Sequence, residues 1–170
     1  MRLAIHNFAH KVKDQIALRK EIIQAQENVG FFKILHTKFG NYNGKDIFID
    51  DEMVLASTGS RSHTPNAITT PNGLIVMNTA ASKLGKDLTE ALILHELGHV
   101  EFKHTPTAFY PIQASVGFGN GLEMEYQADE YAFSKGAKIL DLLEVLNESG
   151  LSSRAMRLRI QRLKDLSNIK

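Results

Sequence analysis

Cysteine is absent from these 170 residues, which excludes disulfides and any zinc site built on thiolates. Long apolar runs are missing too, and none approaches the ~18 consecutive residues needed to span a bilayer. The opening Met1-Arg2-Leu3-Ala4-Ile5-His6-Asn7-Phe8 has no apolar signal core, and Lys11 to Lys20 is heavily charged. Together these features predict a cytoplasmic chain without a membrane span. An excess of one charge sign is also lacking. A net charge of +1 gives no reason to expect nucleic acid or an acidic membrane as partner. No repeat, linker or low-complexity stretch breaks the chain. An apolar content of 43% and a charged content of 23% fit an ordinary globule. The length fits a single domain, 1–170, with a real core.

The pattern of apolar residues predicts the elements. Ile5, Phe8, Val12, Ile16 and Ile23 recur at helical spacing over 5–28, and Gly30 ends that helix. A sheet region follows over 31–78. Phe31–Leu35, Asp46–Ile49 and Met53–Ala56 are short and apolar, and Gly40-Asn41-Tyr42-Asn43-Gly44 reads as turns between strands. Residues 66–77 read as a hairpin whose Pro71-Asn72-Gly73 turn carries the type II signature. A short helix near Ala80–Leu84 precedes a long one, with Asp87 as N-cap and Glu90 completing a capping box, that reaches His104. The segment Thr105–Gly121, rich in proline and glycine, reads as a loop whose Phe109, Tyr110 and Phe118 are pocket or anchoring candidates. Helices Leu122–Ser134, Ala137–Glu148 and Ser152–Leu166 complete the chain, giving helices bearing the site over 87–135 and C-terminal helices over 137–167.

The chemistry concentrates in His95-Glu96-Leu97-Gly98-His99. Histidines at i and i+4 project from one face of a helix, about 6 Å apart, close enough to share one zinc ion. A glutamate beside the first ligand can take a proton from a zinc-bound water. The pattern arises by chance in about 2% of shuffled chains of this composition, so context must support it. Thr89 to Val100 is apolar on nearly every face except at this motif, as in a core helix. Two histidines and a glutamate buried there are costly unless a metal satisfies them. Gly98 lowers helix propensity and is explained by close approach of another segment.

A catalytic zinc needs a third protein ligand. Glu125 and Asp129 are four apart and share a helical face, so one can bind metal while the other accepts an N–H from a ligating imidazole. Ala128 and Ala132 mark a stripe of small residues able to approach another helix. The strand at Asn66–Thr69, beside the metal helix, could bind an extended peptide by strand addition. His104, rotated about 140° from His99 on a continuous helix, should not reach the same ion and reads as packed or solvated. His63, just before the strand, is a candidate substrate contact; His6, His10 and His36 read as structural or exposed.

Three blocks, 65–79, 92–104 and 125–132, with a weaker one at 157–163, resemble in this order the HtpX/CAAX-prenyl-protease family of gluzincin metallopeptidases. The resemblance covers Val54 to Leu163. It implies an α+β, zincin-like fold: a small mixed sheet, an HExxH helix, a following glutamate-bearing helix and further packing helices. It implies His95, His99 and Glu125 as ligands of one zinc ion, Glu96 as general base, and Asp129 as the carboxylate orienting His95. It also implies Asn66 and Ala67 as partners of the substrate backbone, and Arg159 as a catalytic residue near the substrate carbonyl. Two departures stand out. Ser153 and Arg154 occupy the positions where the family carries His-Pro, and the flanking membrane segments of its best-known members are missing. The chain is similar to the soluble, minimal members called minigluzincins.

The activity implied is zinc-dependent hydrolysis of peptide bonds in a polypeptide substrate. Alternatives are a narrow-specificity regulatory peptidase cutting one partner, or a latent zinc-binding regulatory or scaffold protein. An intact Glu96 favours catalysis, because a purely structural site has no use for a base.

Overall fold

Asn43 and Gly44 both take positive φ, 48° and 80°. Those are the values a two-residue type I′ hairpin requires, and Asn-Gly is the pair that tolerates them. The turn joins β1 (Thr37–Tyr42) to β2 (Lys45–Ile49) in antiparallel register, with Tyr42 opposite Lys45. The turn is therefore narrower than the sequence suggested, and Gly40 to Tyr42 belong to the strand. A computed structural model describes residues 37–58, 64–70, 73–104, 120–151 and 153–168 of the chain. The expected helix over 5–28, the strand at Phe31–Leu35, His63, and the segment bearing Phe109, Tyr110 and Phe118 lie outside the described residues.

After β2 the chain forms α1 (Asp51–Thr58), not the strand expected over Met53–Ala56. The Asp50 carboxylate accepts the Met53 N–H at 2.8 Å, and the Asp50 carbonyl accepts the Val54 N–H at 3.2 Å. A run of four apolar residues has no period of its own, so the acidic cap before it decides for helix. β3 (Ala67–Thr69) and β4 (Ile75–Met77) then form the expected antiparallel hairpin. Gly73, at φ 72°, closes its turn by donating to Thr70 O at 2.8 Å.

Among the described residues the sheet is four-stranded and mixed, in the order β1-β2-β4-β3, with β2 and β4 parallel and β3 at an edge. Strand alternation gives it two apolar faces. Phe48, Val76 and Leu74 meet Met53 and Val54 of α1 on one side. Ile47, Ile75 and Met77 enter the main core on the other, with helix residues such as Leu92, Leu142, Leu143 and Leu163.

A 3₁₀ turn (Ala81–Lys83) leads to α2 (Lys86–Glu101). Its cap is Gly85 at φ 87°, with no side-chain bond, which corrects the expected Asp87 cap. Asp87 is instead inside the first turn and pairs with Lys138 at 2.6 Å, while Glu90 accepts the Tyr42 hydroxyl at 2.9 Å. Ala91 to His99 are all buried, so α2 runs through the core as its apolar circumference predicts. α3 (Asn120–Ser134) packs along α2, and α4 (Ile139–Leu146), a π turn (Asn147–Leu151) and α5 (Arg154–Asn168) follow. Ser153 caps α5 by accepting the Met156 N–H at 3.0 Å. The fold is α+β: five helices around one small sheet among the described residues. None of these helices is long and apolar enough to cross a membrane.

Candidate metal centre

Gly98 lets α2 and α3 come together at Ala128, which is fully buried, as is Ala132 one turn on. That contact places Glu125 and Asp129, on the same face of α3, opposite His95 and His99. His95 Nε2 and His99 Nε2 lie 3.1 Å apart. Glu125 completes the triangle, its oxygens 3.4 Å from His95 Nε2 and 3.7 Å from His99 Nε2. Ligand bonds of about 2.0–2.1 Å in a tetrahedron imply edges of roughly 3.3 Å. The three donors therefore fit one small divalent cation, and His95, His99 and Glu125 are the residues that could hold it. Two nitrogens and a carboxylate crowded in a buried place gain most from such a cation.

Each donor is supported from behind. His95 Nδ1 lies 2.8 Å from Asp129 Oδ1. Arg159 Nε and Nη2 donate to Asp129 at 2.7 Å each, and Nη1 lies 2.7 Å from Glu125 Oε2. One guanidinium thus grips both carboxylates. The resemblance put Arg159 beside a substrate carbonyl; the structure shows it holding the acidic side of the centre. Burial opposes ionisation of Glu125 and Asp129, yet Arg159 and His95 outweigh it and hold both carboxyls below their usual range. Burial likewise opposes a charge on His95, but Asp129 and Glu125 push its pKa up to about 10. Burial and the neighbouring His95 bring the pKa of His99 down to about 3, against the opposing pull of Glu125.

His104 is half-buried and makes two specific ring contacts. Its Nδ1 lies 2.9 Å from His99 Nδ1, and its Nε2 lies 2.8 Å from Gln127 Oε1. A rotation of about 140° from His99 holds only on a helix that continues to His104, whereas α2 stops at Glu101. Lys103 takes a left-handed φ of 54°, and the His104 N–H returns to His99 O at 2.9 Å. This is the Schellman reversal, and it folds residue 104 back over residue 99.

Glu96 is buried, and burial raises its pKa. Thr69 Oγ1 on β3 lies 2.7 Å from Glu96 Oε2 and 2.9 Å from Glu96 O, tying the edge strand to the acid. Asn66 does not offer a free backbone to a substrate. Its N–H donates to Asn78 Oδ1 at 3.1 Å and its carbonyl accepts the Asn78 N–H at 3.0 Å. The Ala67 N–H is bonded in turn to Asn66 Oδ1 at 2.9 Å. Antiparallel alternation turns the Ala67 carbonyl and the Thr69 backbone outward from β4. Asn66 is therefore a bracket for β3, and among the described residues Ala67 and Thr69 are the β3 positions whose backbone turns away from β4. Thr69, His104 and Gln127 are the site residues the sequence did not single out. No family model, curated protein or solved structure matches this chain.

Proposed function

We propose that this chain is a zinc-dependent metalloendopeptidase of the gluzincin type, with His95, His99 and Glu125 as ligands and Glu96 as general base. The observation that carries the proposal is the position of Glu96: a buried carboxyl, tethered by Thr69, within electrostatic reach of His95, Glu125 and Arg159. A metal centre needed only for folding has no use for such a group. The donor set of two imidazoles and one carboxylate favours zinc, and matches a catalytic rather than a closed structural site. Bound there, zinc would polarise a scissile carbonyl and activate water near neutral pH.

The residues of the chain do the rest. Glu96 takes the proton of the attacking water and later gives it to the leaving amine. Its raised pKa suits a group that must both accept and release a proton. Asp129 and Arg159 hold His95 and Glu125 in place. A peptide lying extended along the outer side of β3 pairs with the Ala67 carbonyl and the Thr69 backbone, which sets its scissile bond beside Glu96.

Glu96→Gln tests the assignment. It should leave zinc content at that of the wild type and slow casein cleavage by about 10²–10⁴-fold, the contribution typical of a general base. Cleavage at the wild-type rate would remove Glu96 from the mechanism.

A further inference from the structure

We propose that His104 and Gln127 are a positioning pair that fixes the tautomer of His99 and so aims its Nε2 lone pair at the metal. The inference rests on the metal-centre part of the proposed function and is independent of the peptidase part.

The argument is one of donors and acceptors. Gln127 Oε1 can only accept, so the proton of the 2.8 Å contact sits on His104 Nε2. In that tautomer His104 Nδ1 is the ring nitrogen left to accept. The 2.9 Å contact from that atom to His99 Nδ1 requires the proton to sit on His99. His99 Nε2 is thereby left as a lone pair, facing His95 Nε2 at 3.1 Å and the Glu125 carboxylate. An imidazole with a free Nδ1 has no such preference, and its other tautomer would point an N–H at the cation.

The backbone also supports the pair. The left-handed turn at Lys103 returns His104 over His99, and Phe102 stacks on the His104 ring at 5.8 Å between centroids. Gln127 lies on α3 between Glu125 and Asp129, so the helix that supplies the third ligand also steers the second. His95 faces a carboxylate, Asp129; His99 faces an imidazole backed by an amide.

The test uses the full chain, with Zn2+ and Co2+ as probes. His104→Leu should weaken Zn2+ binding about 10–100-fold in chelator competition, the usual cost of losing a ligand's supporting bond. His104→Gln supplies an amide oxygen toward His99 and an amide N–H toward Gln127, and should recover most of that loss. Gln127→Leu should fall between, and the double variant His104→Leu/Gln127→Leu should bind no worse than His104→Leu alone. Imidazole 15N resonances of the Zn2+-loaded wild type should show His99 protonated at Nδ1 and His104 at Nε2. That reading needs no variant to fold. His104 protonated at Nδ1, or a His104→Leu variant whose affinity stays within about threefold of the wild type, overturns the inference. A wild type that takes up neither ion overturns the metal centre, and the positioning pair with it.

Discussion

Gly98 and Ala128 touch backbone to backbone: a Cβ built on Gly98 would stand 2.8 Å from Ala128 Cα and 3.1 Å from Ala128 O. Backbone cannot rotate aside, so Gly98→Ala must push α2 from α3. Alanine gains about 0.8–1.0 kcal/mol of helix propensity over glycine. Overpacking costs about 1–3 kcal/mol, and should win. Glu125 lies one turn before Ala128, so the separation also opens the triangle of donors. Thermal unfolding and chelator competition should show a less stable protein with weaker Zn2+ binding. A variant that is more stable and binds as well would mean the contact is not what sets the helix spacing.

The grip of Arg159 on Asp129 and Glu125 leads to a different expectation. The Asp129 side chain is 2% exposed and that of Glu125 12%, so removing the guanidinium strands two carboxylates. Breaking a buried pair on one side costs about 3–5 kcal/mol. A bound cation replaces part of the lost positive charge. Arg159→Leu should therefore lose more stability without metal than with it, read as urea midpoints in excess chelator and in excess Zn2+. Equal losses in the two conditions would show that Arg159 does not balance Glu125.

How much of this was legible in the sequence follows from where the information is local. His95, Glu96 and His99 stand out by their spacing within an otherwise apolar helix, and Glu125 and Asp129 by sharing a face. Gly98 and the stripe of Ala128 and Ala132 foretold the helix contact, because a close approach demands small residues on both sides. Met53–Ala56 misled because four apolar residues carry no period, and the Asp50 cap had to decide. His104 misled because its rotation was reckoned on a helix that ends at Glu101; lysine, unlike glycine, does not announce a left-handed turn. Asn66 misled because an edge strand reveals its open side only once its partner, Asn78, is placed. Thr69 left no signal, since its meeting with Glu96 spans 27 positions.

That meeting can be examined separately from the metal. Thr69→Val keeps the shape and removes the hydroxyl from Glu96 Oε2 and Glu96 O. A hydrogen bond to a charged group contributes about 1.5–3 kcal/mol, so peptide cleavage should slow by roughly 10–100-fold. Zn2+ affinity should not change, because Thr69 supports no ligand. Thr69→Ser should restore most of the rate. If Thr69→Val lost metal and activity in step, the hydroxyl would be holding α2 rather than aiming the base.

Lys103 supplies the last test, because its backbone rather than its side chain brings His104 home. Its φ of 54° is left-handed, which costs an L-residue about 1–2 kcal/mol and a β-branched one more. Glycine adopts it freely. Lys103→Gly and Lys103→Val both delete the lysine side chain, so comparing the two isolates the turn. The glycine variant should be the more stable by at least about 1 kcal/mol, and should keep Zn2+ affinity close to the wild type. The valine variant is pressed out of the left-handed region, which breaks the return of the His104 N–H to His99 O and swings the ring from His99 Nδ1. It should bind Zn2+ more weakly although no ligand and no partner of a ligand has been replaced. Equal affinities in the two variants would show that His104 reaches His99 without the turn.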